Sequence, residues 1–227
     1  MMKLFSLRYQ KIDMFLNFCM LYYLENTELI ECMTCEHSRY KPRTGKGKIL
    51  VAYKKKLRYV SVTPRLQMLF MSSRTAEHMT WHQSYDAVDR MMVHHFDIEA
   101  CKHINSVHSH FLVESRNVRL GLCTDRFNPF GSFVAPYSCW LVILTVYNLP
   151  PGMCMRPDFI FLSTVIPGLS SPDRNIDVCF RSLIDELTQL WSSEALIYDI
   201  SRKQNFVMGT ALMWTINDFS AYIMVYD

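Results

Sequence analysis

Residues 118–125 read VRLGLCTD, a short apolar stretch that ends in the carboxylate of Asp125. A second stretch of the same kind, ALMWTIND at residues 211–218, ends in Asp218. A rigid strand that ends in an aspartate presents a carboxylate at the open end of a sheet, where it can bind Mg²⁺ for phosphoryl transfer. The two stretches therefore predict an α/β fold with Asp125 and Asp218 as metal ligands. The alternative is that Asp125 only caps the turn that follows its strand.

The overall composition fits a folded intracellular protein. Of 227 residues, 50% are hydrophobic and 20% are charged, which excludes a disordered chain and leaves room for one or two domains. The eight cysteines have irregular spacing, which indicates reduced thiols and not a disulfide framework. Since no segment reaches the roughly 18 apolar residues of a membrane span, we expect a soluble chain without membrane contact.

Four regions follow from the pattern of residues along the chain. Residues 1–42 hold a small Cys-containing module, 43–60 a basic linker, 61–115 a helical segment and 116–227 a region of strands. In the last region we predict strands at 118–124, 140–147 and 159–166, a helix at 176–191 and a strand or helix-strand segment at 205–216. Three strands, a helix and a strand with an acid are the order in which a ribonuclease-H-like mixed sheet begins.

The segment from Arg39 to Arg58 is strongly basic and contains no acidic residue. Such a run attracts phosphate backbones, although a solvated linker has the same composition. The candidate DNA contacts are Arg39, Lys41, Arg43, Lys46, Lys48, Lys54, Lys55, Lys56 and Arg58.

Longer phrases carry a resemblance to a known family. They are Arg116–Leu122, Tyr147–Pro151, Leu183–Leu187, Lys203–Phe206 and Ala211–Phe219. In these phrases, and from about residue 11 to residue 222, the chain resembles the tnp2-like transposases of plant CACTA (En/Spm-type) elements. The resemblance implies a DDE-type enzyme of the nucleus that cleaves and joins DNA at element ends. It also implies a ribonuclease-H-like core, Mg²⁺ or Mn²⁺ as cofactor, and self-association.

By this resemblance Asp125 is the first catalytic acid and Asp218 the second, and a third, a glutamate, lies beyond residue 227. We therefore expect a truncated, diverged copy that is inactive in this form. The alternatives are a non-catalytic DNA-binding remnant and a gene fragment without function. Competitors for the second acid are Asp177, Asp185, Glu186 and Asp199, of which Asp185 and Glu186 are expected on the solvated face of a helix.

The chain departs from the family pattern at two functional positions. Arg126 stands where the family has glycine, which places a cation next to Asp125 in the sequence. Phe15 stands where the family has the first of four cysteines, which leaves Cys19, Cys32 and Cys35 as candidate zinc ligands. Tetrahedral zinc needs a fourth ligand, for which His37 is the local candidate; a metal-free module is the alternative.

Overall fold

The computed structural model describes residues 8–40, 55–85, 98–128, 138–168, 175–193 and 195–217. Its strands are β1 (Gln10–Met14), β2 (Leu21–Tyr22), β3 (Lys55–Tyr59), β4 (Val118–Phe127), β5 (Ser138–Val146), β6 (Ile160–Gly168), β7 (Ala195–Asp199), β8 (Gln204–Met208) and β9 (Thr210–Asn217). Its α-helices are α1 (Thr63–Met71), α2 (Glu99–Val107), α3 (Ser109–Val113), α4 (Pro151–Cys154) and α5 (Ile176–Ser192). Short 3-10 helices lie at Leu24–Asn26, Glu77–Gln83 and Pro157–Phe159.

Seven strands form one sheet in the order β2-β1-β3-β6-β5-β4-β9, and β7 and β8 form a separate hairpin. Neighbours in the large sheet are antiparallel except β4 and β9, which run parallel. The predicted α/β class with a mixed sheet is therefore confirmed, although the sheet is mostly antiparallel.

The stretch that ends in Asp125 forms the interior strand β4, between β5 and β9. Val118 and Leu120 are fully buried, and Leu122 is nearly so. An interior strand needs apolar side chains on its covered faces, which explains the near-continuous apolar sequence. The predicted strand at 118–124 is confirmed and continues to Phe127.

Helix α5, followed by the β7–β8 hairpin, carries the chain from β6 to β9. The predicted helix at 176–191 is confirmed with bounds Ile176–Ser192. Its buried apolar side chains recur at helical spacing, at Ile176, Cys179, Phe180, Leu183 and Leu190. Because parallel strands cannot be joined by a tight turn, this crossover is what lets β9 lie beside β4 in the parallel direction.

The N-terminal strands belong to the same sheet as the core. β1 pairs with β3, and β3 pairs with β6. The predicted linker at 43–60 differs from this, because Lys55–Tyr59 form β3, while residues 41–54 lie outside the described part. The many charged residues of this segment favour a linker. Leu57 and Tyr59 nevertheless alternate with charged residues, as in a strand, and both are buried in the core.

Two other segments differ from the sequence prediction. The helical segment expected at 61–115 is interrupted at His108, whose backbone (φ −113°, ψ 57°) leaves the helical region between α2 and α3. The strand segment expected at 205–216 is divided at Gly209 into β8 and β9, and β7 was not predicted. At Gly209 the Asn117 side-chain oxygen accepts the backbone N–H at 2.6 Å, so the chain turns between the strands.

Glu186 was expected on the solvated face of α5, and this expectation is wrong. Its carboxylate accepts hydrogen bonds from the backbone N–H groups of Val62 and Thr63, at 3.0 and 2.9 Å. The hydroxyls of Ser61, Thr63 and Tyr59 also donate to it. The first N–H groups of a helix lack intrahelical partners, so this acceptor caps α1 and ties it to α5.

The substitution Gly121→Ala should destabilise the fold by about 1–3 kcal/mol. A Cβ atom at Gly121 would overlap the ring of Tyr147. That ring cannot easily move, because it stacks on Trp214 and its hydroxyl oxygen accepts the indole N–H at 3.2 Å. Urea unfolding would measure the change. Gly152→Ala is the matched control, since a Cβ there meets nothing within 4 Å and its midpoint should not fall.

The substitution Glu186→Gln should lower the free energy of unfolding by about 1–3 kcal/mol at neutral pH, because an amide NH₂ would face N–H donors. Burial raises the pKa of Glu186, but hydrogen bonds from Ser61, Thr63 and Tyr59 outweigh it and hold the pKa below its ordinary value. The carboxylate therefore stabilises the fold above the unfolded-state pKa of about 4.3. That stabilisation is lost as the pH falls through the folded-state pKa.

Urea unfolding of the wild type and of Glu186→Gln, from about pH 7 down to about pH 3.5, should show the difference shrinking in acid. Asp185→Asn is the control, since Asp185 pairs with the exposed Arg181 on the same helix and should matter little. A difference that stays constant with pH would contradict the capping role.

Candidate active site at the ends of two parallel strands

Asp125 lies near the carboxyl end of β4, where the strand leaves the core. Residues 118–122 are buried, whereas Asp125 and the two residues after it are exposed. Its carboxylate has no hydrogen bond or ion pair with any residue in the described part of the chain. The group is therefore open to solvent and to a ligand, on a rigid strand that fixes its position.

The parallel strand β9 ends beside the same position. Thr124, the residue before Asp125, lies opposite Asn217, the last residue of β9. Asp218, the second predicted ligand, follows Asn217 in the sequence and lies outside the described residues. The two stretches that end in aspartate are thus neighbouring parallel strands in matching register.

Arg126 does not share a face of the sheet with Asp125. In the antiparallel pairing of β4 with β5, Asp125 lies opposite Leu141 and Arg126 opposite Trp140. Successive side chains of a strand point to opposite faces, so the guanidinium is on the other side of the sheet from the carboxylate. The cation next to Asp125 in sequence is therefore not placed to neutralise it.

Two of the alternative candidates for the second catalytic acid, Asp199 and Glu186, are occupied by hydrogen bonds within the fold. Asp199 is buried; it accepts from Ser201 N–H at 2.9 Å and lies 3.4 Å from Arg116 Nη1. Burial raises the pKa of Asp199, but the hydrogen bonds from Ser201 outweigh it, and the pKa is below its ordinary value. Glu186 caps α1, as described above. Neither carboxylate is free to hold a metal ion.

The other two competitors lie on α5. Asp185 accepts from Arg181 Nε at 3.0 Å. Asp177 is in the first turn of the helix and lines a cavity together with Arg181 and Cys19. This cavity lies beside the cysteines of the N-terminal region. Asp177 therefore faces that region, although it is part of α5.

Cys19, Cys32 and Cys35 converge in the N-terminal region. The Sγ atom of Cys19 lies 3.4 Å from that of Cys32 and 3.5 Å from that of Cys35. All three sulfur atoms lie within 4.8 Å of one another, so the cluster could hold a metal ion such as zinc. The turn that carries two of them is closed by Cys32 N–H to His37 O, at 2.9 Å, and by Glu36 N–H to Cys32 O, at 2.8 Å.

A hydrophobic side chain packs beside the three thiols. Phe15 is buried in the same cluster as Cys32, with Cys19 and Cys35 against it. His37, the local candidate for a fourth ligand, has its Nδ1 atom 2.6 Å from the Cys35 carbonyl oxygen, a backbone contact that occupies this nitrogen. The cluster in the described part of the chain is thus a set of three sulfur atoms with a phenyl ring next to it.

The thiols of Cys19 and Cys32 do not ionise alike. Burial raises the pKa of Cys19 to about 12, and hydrogen bonds to the other two sulfurs add to the effect. Burial also acts to raise the pKa of Cys32, but the backbone N–H groups of Cys35 and Thr34 hold it below the ordinary value. Cys32 is therefore the first of this pair to offer a thiolate, and metal binding has to displace the proton of Cys19.

The nine predicted DNA contacts are placed very differently. Five of them, Lys41, Arg43, Lys46, Lys48 and Lys54, lie outside the described residues. Arg39 is held inside the N-terminal region, where it donates to Thr27 O at 2.7 Å and pairs with Asp13 at 3.0 Å.

The remaining three lie on β3. The ammonium of Lys55 sits 3.4 Å from the centre of the Phe18 ring, and burial lowers its pKa. Lys56 and Arg58 project from the other face of the strand. Lys11 on β1, opposite Arg58, was not predicted; the alternation of β1 was the available signal.

Comparison with known proteins assigns the family. In the described part of the chain no helix is long and apolar enough to cross a membrane. Neither a curated protein nor a solved structure matches the chain. The family model for the transposase family tnp2 matches residues 89–226, which include β4, α5 and β9. The chain therefore belongs to the tnp2 transposase family.

Proposed function

We propose that the chain derives from a CACTA-type (En/Spm) transposase, a nuclear enzyme of plants that cleaves and joins DNA by metal-dependent DDE chemistry. Asp125 and Asp218 are two of its metal-binding carboxylates. The observation that carries the proposal is the parallel register of β4 and β9, with Thr124 opposite Asn217. Membership of the tnp2 family supports the same reading.

The strand order supports a ribonuclease-H-like core for this activity. β4, β5 and β6 are consecutive antiparallel strands, α5 follows, and β9 returns parallel to β4 on its free side. This is the order in which such a sheet begins. The first and fourth strands of such a sheet carry the acids, and we propose that β4 and β9 take these two places.

The register pair at the ends of β4 and β9 bears on both aspartates. Thr124 and Asn217 are partners on adjacent strands, which lie about 4.8 Å apart. Asp125 and Asp218 are the next residues in the sequence after these partners. We propose that their carboxylates share a pair of ions spaced by about 4 Å.

The exposed carboxylate of Asp125 suits this role. Mg²⁺ and Mn²⁺ prefer oxygen ligands, and the bound ion keeps some coordination positions open for water or substrate. Asp125 has no competing partner among the described residues, so both of its oxygens are available. Bound divalent ions would activate the attacking water or hydroxyl and stabilise the leaving oxygen of the phosphodiester. Asp125 itself offsets their charge and fixes their position relative to the strand.

Removal of the Asp125 charge tests this function. Wild-type protein should bind Mn²⁺ in calorimetry or electron paramagnetic resonance, and Asp125→Asn should bind at least about tenfold more weakly. Asp218→Asn should show a similar loss. Asp158→Asn is the matched control, because Asp158 is an exposed acid whose one ion pair within the described residues is with Arg156. Equal Mn²⁺ affinity in the wild type and in Asp125→Asn would overturn the assignment.

The cysteine cluster supports a second function, zinc binding by the N-terminal region. Three thiols already converge, and zinc favours four nitrogen or sulfur ligands. The family match begins at residue 89, so this region lies outside it. We propose that the three cysteines bind zinc weakly, because Phe15 fills the position from which a fourth thiolate would complete the tetrahedron.

The substitution Phe15→Cys should therefore create a tighter zinc site. Adding a direct ligand should raise zinc affinity by more than the roughly 10–100-fold typical of changes around a site. Competition with a chromophoric chelator would measure the affinity, and it should rise with pH as the thiols deprotonate. Phe15→Ser is the matched control, with the same loss of the ring and no thiol. Equal affinity in the two variants would place Phe15 away from the coordination sphere.

A further inference from the structure

One row of side chains crosses five strands on a single face of the sheet. Lys11 lies opposite Arg58, Arg58 opposite Val165, Val165 opposite Leu141, and Leu141 opposite Asp125. Residues paired directly across antiparallel strands have their side chains on the same face. The row therefore runs unbroken from β1 to the candidate active site on β4.

The first two members of the row are exposed cations. Lys11 and Arg58 are both exposed, and neither has a carboxylate within 4.0 Å in the described part of the chain. Their strand neighbours Ile12 and Leu57 are buried in the core, so the sheet fixes which face the charges occupy. Lys56 extends the cationic area on this face, although it lies 3.6 Å from Asp13.

Nothing acidic interrupts the row between the cations and Asp125. Its middle members, Val165 and Leu141, are half-buried aliphatic side chains that rise little above the sheet. At about 4.8 Å per strand, Arg58 lies about 14 Å from Asp125, and Lys11 about 19 Å. Along the axis of a duplex, at about 3.4 Å of rise per base pair, these distances span roughly four and six base pairs.

We infer that this row is the track on which the backbone of duplex DNA lies when a phosphodiester is at Asp125. In this arrangement Lys11 and Arg58 each neutralise one phosphate a few nucleotides from the reacting one. The row itself contains no aromatic side chain on which an unpaired base could stack. Among the described residues, exposed rings lie beside the row only at its two ends, at Tyr9 and Phe127. The continuous part of the row therefore favours backbone contact with a duplex. The inference rests on the proposed function and adds where the substrate lies.

The salt dependence of DNA binding tests the track. Fluorescence anisotropy with a labelled duplex of about thirty base pairs gives the dissociation constant over a series of salt concentrations. Removing two phosphate contacts in Lys11→Gln/Arg58→Gln should reduce the slope of log affinity against log salt by about two. Arg156→Gln/Arg202→Gln removes the same charge from exposed positions outside the row and should leave the slope unchanged.

A gain-of-contact variant avoids the ambiguity of a damaged fold. Val165→Lys adds a cation in the middle of the row and should tighten binding and steepen the slope by about one. Leu196→Lys adds the same charge on the exposed face of β7, outside the large sheet, and should have no effect on the slope. Thermal unfolding of each variant confirms that the fold is retained.

The outcomes separate the track from the function on which it rests. If wild-type protein binds the duplex but the row variants behave like their controls, the track is wrong and the proposed function stands. If wild-type protein binds no duplex DNA, the proposed function itself fails. Equal or tighter binding of duplex RNA of the same sequence, with the same loss in Lys11→Gln/Arg58→Gln, would overturn DNA as the occupant.

Discussion

Parallel hydrogen bonding between β4 and β9 is the constraint on which the rest of the fold depends. Two parallel neighbours need a crossover between them, and α5 supplies it. The crossover helix must then be held in place, and Glu186 fastens it to the start of α1 while its apolar stripe packs on the sheet. The same pairing forms the candidate active site, because it brings the carboxyl ends of both strands to the same end of the sheet.

The parts of the fold that the sequence predicts are those with a long, regular pattern. The run of β-branched residues in β5 and the helical stripe of α5 were both recognisable, and both are confirmed. The failures have local physical causes. In β3 the charged residues outnumber the two core residues, so its composition indicates a linker. The partners of Glu186 are more than a hundred residues away in sequence, so no local pattern indicates its hydrogen bonds.

For the candidate site, the sequence suggests single residues, whereas their arrangement depends on strand pairing. Asp125 is predicted from its place at the end of an apolar run, and its role as a metal ligand stays a prediction. Among the described residues its carboxylate has no partner, which leaves it available for that role. The face occupied by Arg126 could be settled only by the register with Trp140. Arg39 was counted with the DNA contacts from its charge alone, whereas its guanidinium packs over Tyr22 and pairs with Asp13. The alternation of β1 places Lys11 on the exposed face, but its position beside Arg58 required the pairing of β1 with β3.

The pairing of β3 with β6 also bears on what counts as a folding unit. β3 covers the outer edge of β6 through Arg58 and Tyr59, and it brings β1 and β2 with it. The segment that matches the family begins only at residue 89. A chain shortened to that segment would leave N–H and C=O groups of β6 unpaired along this edge, and such edges recruit other chains. The family match thus marks shared descent, whereas independent solubility depends on strands that precede it by some thirty to eighty residues.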